Sequence, residues 1–240
     1  MIIDINAQLG QPWGTRIGQT AEELLTKMDK AGIDRALVST FPFGNYDNDY
    51  VAASVRAYPD RLSGVAMLSP FANDTAAESL ARYVDDAGFV GARLHPAAHG
   101  YKLSEKEVCA DILGGLDARG LPVIAYSGDE LYATPFQLMM AALEYTTLPF
   151  VMLHSGFMMQ TNDAVMVAER CPNVYLEHSS GISMGITQSL EAVGAGRILF
   201  GSDSPYMDIE VEKYKIEITV EDQDARERIF FRNAQELFKL

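Results

Sequence analysis

The sequence predicts an α/β fold, a single (β/α)8 (TIM) barrel spanning residues 1–240, and three observations carry that expectation. Eight short apolar, β-branched runs recur roughly 24 to 32 residues apart, the length of a βα unit. The intervals between them carry helix start signals followed by apolar stripes. No linker, low-complexity segment or shift of composition divides the chain. A doubly wound open sheet is the rival, but it usually opens on a Gly-rich phosphate turn, and Asn6-Ala-Gln-Leu-Gly10 offers none.

In chain order the predicted strands are Ile2–Ala7, Arg35–Ser39, Leu62–Leu68, Val90–Leu94, Pro122–Tyr126, Phe150–Leu153, Val174–Glu177 and Ile198–Phe200. Thr20-x-x-Glu23, Thr75-x-x-Glu78 and Ser104-x-x-Glu107 read as capping boxes. Leu24, Leu25, Met28 and Ala31 follow the first, with Gly32 as the stop; Val108, Ile112, Leu113 and Leu116 follow the third. Thr134-Pro135 is a cap with proline at the first helical position. The last helix is expected over Asp224 to Phe238, burying Ile229, Phe230, Ala234 and Leu237. The stretch from Met207 to Glu221 alternates Tyr214, Ile216, Ile218 and Val220, and reads as an irregular or extended covering segment.

With 48% hydrophobic residues the chain has ample material for such a core. A net charge of −14 and a pI near 4.6 argue against nucleic acid or an anionic membrane surface as partner, since both need basic patches. Cys109 and Cys171 have neither zinc-motif spacing nor a disulfide framework. Met1-Ile-Ile-Asp4 is already strand-like, and no apolar run approaches the ~20 residues of a membrane span. A soluble, reduced, cytoplasmic protein is the expectation.

In a barrel the chemistry sits at the C-terminal strand ends. Those ends offer Asn6 and Gln8, Thr40 and Phe41, Ser69, Arg93 and His95, Tyr126 and Asp129, His154, Glu177 and His178, and Asp203. Three of the four histidines fall there and His99 follows closely, a concentration that points to function. His154, between an apolar run and Ser155-Gly156, reads as functional. Asp203 reads as a catalytic carboxylate or as a cap of the turn before Pro205. His95 reads as a strand-end hydrogen bonder or a substrate contact, His178 as a structural histidine or a ligand, and His99 as a solvated loop residue. Trp13 and Met158-Met159 read as lids or packing at the pocket mouth, and Phe41–Tyr46 as a pocket wall or a cover of the barrel top.

These strand ends resemble the amidohydrolase superfamily, in the branch related to aminocarboxymuconate-semialdehyde decarboxylase. Ile3-Asp-Ile-Asn-Ala-Gln8 resembles that family's opening Asp-x-His-x-His strand, and Gly91-Ala-Arg-Leu-His-Pro96 its Gly-Val-Lys-Leu-His-Pro. Leu121-Pro-Val-Ile-Ala-Tyr-Ser-Gly128 resembles the strand ending in His-Thr-Gly, and Val151-Met-Leu-His-Ser-Gly156 the following His-x-Gly strand. Ile198-Leu-Phe-Gly-Ser-Asp-Ser-Pro205 is similar to Gly-Ser-Asp-x-Pro, and Asn233-Ala-Gln-Glu-Leu-Phe238 to the closing helix. The resemblance implies a divalent metal held by the two first-strand histidines, the fifth-strand histidine and the eighth-strand aspartate. Three of those positions read Asn6, Gln8 and Tyr126 here.

Three readings stay open. The first is a hydrolase or lyase without the usual metal, acting on a small lactone, ester, amide or carboxylated substrate. Asp203 is then base or proton shuttle, His154 polarises the carbonyl or protonates the leaving group, and Arg93 holds a carboxylate or oxyanion. Tyr126, Asn6 and Gln8 occupy the vacated metal space, and His95 and His178 complete the substrate contacts. The second is a relocated metal site, zinc for instance, on His154, His178 and Asp203. The third is a catalytically inactive barrel that binds a ligand. The resemblance also implies a homodimer as one assembly, with 207–221 as candidate contact.

Overall fold

Strands buried on both faces read as unbroken apolar runs, and all eight predicted runs become parallel strands. The computed structural model describes every residue except Trp13, Thr15 and Asn45, so the expectation for Trp13 lies outside the described residues. In chain order the elements are β1 (Ile3–Leu9), α1 (Ala21–Ala31), β2 (Arg35–Thr40), α2 (Asn48–Ala57), β3 (Leu62–Gly64), β4 (Ala66–Leu68) and α3 (Ala76–Leu80). Then come β5 (Ala92–Leu94), α4 (Pro96–His99), α5 (Lys106–Asp117), β6 (Val123–Tyr126), α6 (Pro135–Glu144), β7 (Phe150–Leu153) and α7 (Thr161–Arg170). The chain finishes with β8 (Val174–Glu177), α8 (Ser183–Val193), β9 (Ile198–Leu199), α9 (Ile209–Thr219), α10 (Gln223–Glu227) and α11 (Asn233–Phe238).

The strands pair in the orders β1-β2-β3 and β4-β5-β6-β7-β8-β9, all parallel. β3 and β4 are the two halves of the predicted third strand, interrupted at Val65, whose N–H still reaches the Val38 carbonyl at 2.9 Å. At the other seam the Ile5 N–H donates to the Phe200 carbonyl at 3.0 Å and the Gln8 N–H to the Ser204 carbonyl at 2.9 Å. Last strand thus meets first, and the fold is a (β/α)8 barrel. Among the described residues no helix is long and apolar enough to cross a membrane.

Thr20 and Thr75 cap as predicted, each hydroxyl accepting from the N–H of a glutamate three residues on while that glutamate accepts in return. Ser104 does not. The Glu105 carboxylate folds back on the Lys102 N–H at 3.2 Å, and α5 starts one residue later without a side-chain cap. Leu237 is only half-buried, and Phe238 takes the core position instead. The segment read as irregular is a full helix, α9, capped by Asp208. Its inward stripe is Ile209, Glu212 and Ile216, followed by Val220; the buried charge at Glu212 hid the helical period, while exposed Tyr214 and Ile218 imitated alternation. His99 is half-buried rather than solvated: its Nε2 meets the Pro42 carbonyl at 3.0 Å and its ring packs on Tyr46.

Two apolar layers sandwich the strands. Alternate residues such as Ala36, Val38, Leu94, Met152 and Leu176 pack outward beneath the helices. The others fill the barrel interior: Ile3, Ile5, Leu37, Val65, Ile124, Val151, Leu153 and Leu199, joined by Ala234 and Phe238 of α11. The C-terminal helix therefore stops one end of the barrel, and the polar residues collect at the other.

Candidate active site

Alternation decides which strand-end side chains look into the barrel. On β1 it is broken by design of the register: Asp4 pairs with Ala36 but Ala7 with Val38, so Ile5 and Asn6 together oppose Leu37. This bulge lets Ile3 and Ile5 join the apolar floor while Asn6 and Gln8 face the polar chamber above it. Asn6 Nδ2 donates to Ser179 Oγ at 3.1 Å, and its Oδ1 accepts from Arg93 Nη1 at 2.9 Å. Arg93 Nη1 also reaches Ser39 Oγ at 3.2 Å, and its buried Nε has no partner. Burial pulls the guanidinium below its ordinary pKa, opposed by the carboxylates of Asp203 and Glu177.

On the opposite side of the chamber Leu199, Gly201 and Asp203 face inward in turn. A Cβ at Gly201 would lie 2.7 Å from Glu177 Oε1 and 2.8 Å from Asn6 Cβ, which explains glycine there. Asp203 Oδ1 accepts from Gln8 Nε2 at 3.1 Å and Oδ2 from Ser180 Oγ at 2.9 Å. The other amide atom of Gln8, Oε1, is buried without a partner. Below, the fully buried Asp4 accepts from the Ser202 N–H (2.9 Å), Ser202 Oγ (2.5 Å) and the Asn6 N–H (3.0 Å), tying first strand to last. Burial pushes the Asp4 pKa up to about 6.

His154 follows inward Leu153, so strict alternation would send it outward. A left-handed backbone, φ 62°, turns it back. Its Nδ1 lies 3.1 Å from the Ser179 carbonyl. A carbonyl only accepts, so Nδ1 carries the proton and Nε2 is the atom left to meet a substrate. Buried Glu177 organises this corner, accepting from the His154 N–H (3.2 Å), the Ser179 N–H (2.6 Å) and Ser179 Oγ (2.9 Å). Of the seven non-glycine residues with positive φ among the described residues, five are His154, Ser155, Phe157, Ser180 and Asp203, all in the loops after β7, β8 and β9. Such strain collects where function over-determines the backbone.

One of the expected contacts falls elsewhere, and one enters the site in another way than expected. His178 obeys alternation after Glu177 and faces α8, its Nε2 2.8 Å from Ser189 Oγ; burial, with the Lys215 charge, presses its pKa down to about 3. It therefore neither lines the chamber nor converges with His154 and Asp203, and the relocated metal set is not assembled. Tyr126 enters the chamber as a ring only, stacked 4.1 Å from His95 and 5.2 Å from His154, while its hydroxyl turns to Glu130 Oε1 at 3.3 Å. It fills this corner of the site with ring carbon rather than with a hydrogen bonder. His95 Nδ1 accepts from the Ala98 N–H at 3.1 Å, capping α4 and leaving Nε2. Ser39, Ser179, Ser180, Glu177 and Tyr206 complete the site. Tyr206 sits at the mouth edge-on to Phe41, and its hydroxyl pKa is raised by burial and by Asp203. The pair Ser179-Ser180, which His178 alone separates from the end of β8, was the available sequence signal for two of them. A separate surface cleft of about 680 Å³, lined by Tyr46, Asn48, Ser69, Asp74 and Arg82 among others, holds none of these groups.

The side chains do not fit a divalent metal at the superfamily's usual place. Asn6 Oδ1 faces a guanidinium, Gln8 presents Nε2 to Asp203, and the Tyr126 hydroxyl is turned away. His154 and Asp203 alone fall short of the three protein ligands of a catalytic zinc. Among the described residues no three His, Cys, Asp or Glu side chains converge as a metal site.

Solved structures with the same architecture cover nearly the whole chain. An uncharacterized TIM-barrel protein from Bordetella bronchiseptica superposes with a TM-score of 0.83 at 21% identity, over 99% of this chain and 98% of that one. A 2,6-dihydroxybenzoate decarboxylase from Rhizobium gives 0.80 at 18%, over 99% and 98%. A probable 2-pyrone-4,6-dicarboxylic acid hydrolase from Acinetobacter baumannii gives 0.76 at 16%, over 100% and 99%. No curated protein sequence matches. The amidohydrolase family model matches residues 12–240, from the loop after β1 through the closing helix, and the chain belongs to the amidohydrolase family.

Proposed function

We propose that this protein is a hydrolase or lyase of amidohydrolase type that acts on a small carboxylated substrate through its own side chains, without the superfamily's divalent metal. One observation carries the reading: His154 and Asp203, both on left-handed backbone and both hydrogen-bonded into place, share a buried polar cluster at the strand ends with an arginine. Buried charge is costly unless it has a task or a partner. The names of two structural neighbours, a dihydroxybenzoate decarboxylase and a pyrone dicarboxylic acid hydrolase, are those of enzymes of ring carboxylates.

In hydrolysis Arg93 pairs with the substrate carboxylate. Asp203 takes a proton from water as the water oxygen bonds to the acyl carbon, and Gln8 Oε1 accepts the second water hydrogen. His154 acts in its imidazolium form: the Nδ1 proton keeps its hydrogen bond to the Ser179 carbonyl, and a second proton, taken up from solvent on Nε2, is donated to the carbonyl oxygen where negative charge develops. The tetrahedral adduct then expels the leaving oxygen or nitrogen, which receives the proton held by Asp203. In a lyase Asp203, protonated from solvent, delivers that proton to the carbon bearing the carboxylate; the C–C bond then breaks with its electron pair left on the substrate, carbon dioxide departs, and Asp203 is reprotonated from solvent.

The test joins metal content with turnover. Protein purified without a chelating column should carry far less than one equivalent of any transition metal by elemental mass spectrometry. A panel of aryl carboxylates and lactones should identify a substrate on which Asp203→Asn and His154→Asn each lose about 10²- to 10⁴-fold in kcat. Stoichiometric zinc or manganese, or full activity in both variants, would sink the proposal. Tight ligand binding without turnover would instead favour the binding barrel.

A further inference from the structure

The loop 178–181 after β8 supplies the atoms that orient both proposed catalytic groups. The Ser179 carbonyl takes the His154 Nδ1 proton and Ser180 Oγ donates to Asp203. That loop is held from outside the barrel by α9. Lys215 Nζ donates to the His178 carbonyl at 2.9 Å and to the Gly181 carbonyl at 2.9 Å, bracketing the two serines. Glu212, one turn earlier, accepts from the Ser180 N–H at 3.2 Å and pairs with Lys215. Both side chains are largely buried, 14% and 3% exposed, so the pair is desolvated and cannot be a casual surface contact. The α9 ion pair satisfies the loop's carbonyls and N–H from one side while His154 and Asp203 use its inward side.

We infer that Lys215, together with Glu212, is a positioning residue that sets the orientation of His154 and Asp203 through the loop 178–181. The catalytic roles of those two groups rest on the function proposed above, whereas the contacts that carry the inference do not. A buried pair loses most when one partner goes, since the other charge is stranded. Lys215→Met is therefore accompanied by the double variant Lys215→Met/Glu212→Gln, which removes both charges and keeps the Glu212 acceptor for the Ser180 N–H.

The first readout needs no substrate. Nitrogen-15 NMR of the imidazole rings at pH 8, with His154 identified by its loss in His154→Asn, should find wild-type His154 protonated on Nδ1. His95, whose Nδ1 accepts from Ala98, should be protonated on Nε2 and serves as internal reference. In the double variant His154 should become a mixture of tautomers while His95 stays unchanged. On an identified substrate kcat should fall roughly 10- to 100-fold with KM within about threefold, as expected for misplaced rather than missing groups. Lys215→Arg should recover part of the loss. Wild-type tautomer in every folded variant, or loss of kcat with an unmoved His154 spectrum, would overturn the inference. Failure to find any substrate would count against the proposed function alone, because the tautomer result still decides this one.

Discussion

Asp203, Gly201 and Arg93 show how closely single side chains determine this site. Gly201→Ala would drive a methyl group against Glu177 and Asn6, and overpacking of this kind costs about 1–3 kcal/mol. Urea denaturation should register that loss, and activity should fall with it because Glu177 holds the Ser179 corner. Arg93→Met removes a cation that faces Asp203 and Glu177. It should abolish discrimination in favour of carboxylated substrates, read as the ratio of kcat/KM for a substrate and its decarboxylated analogue. Asp203 and His154 were legible in the sequence because each ends an apolar run at a turn. Alternation after Glu177 sends His178 outward, whereas its place at a strand end alone points it to the site. The inward turn of His154 was not legible, since it depends on one left-handed residue.

Among elements, the bulge in β1 and helix α9 are two that the sequence did not disclose. A bulge leaves no composition signal here: Ile3-Asp-Ile-Asn-Ala-Gln-Leu9 reads as plain alternation until the pairing with β2 is known. α9 was masked because its core stripe includes a charged residue that is buried for its contacts with a loop. Capping separates what was legible from what was not. Thr20→Ala and Asp208→Ala should each destabilise the fold by about 0.5–2 kcal/mol, whereas Ser104→Ala, which caps nothing, should stay within about 0.5 kcal/mol. Equal losses at Thr20 and Ser104 in parallel urea titrations would contradict the helix start at Lys106.

At the scale of the whole molecule two buried groups oppose each other in acid. His178 is held neutral to about pH 3 against an ordinary 6.5, so its contribution is present above pH 6.5 and is lost as pH falls toward 3. Asp4 stays protonated to about 6 against 3.8, so its contribution is present below 3.8 and is lost as pH rises through 6. Between about pH 4 and 6 the folded chain binds a proton at Asp4 and the unfolded chain one at His178, and the two slopes cancel. His178→Gln should therefore turn the stability profile upward on acidification from pH 6 to 4, relative to wild type, by up to roughly 1.4 kcal/mol per pH unit. Asp4→Asn should steepen the acid loss by a similar amount. Denaturant midpoints at pH 4, 5 and 6 would expose either slope.

The seam between β1 and β9 has a consequence for the growing chain. Gln8 must wait for Ser204 before its backbone finds its partner. Until then any shorter chain carries two open sheet edges, one at each end of an unfinished ring, and open edges invite pairing with other molecules. Such a long-range contact also slows folding. Chains terminated within α8 should accumulate in the insoluble fraction however many βα units they contain. The last strand, two residues long, is then the step that changes a sticky ribbon into a closed cylinder.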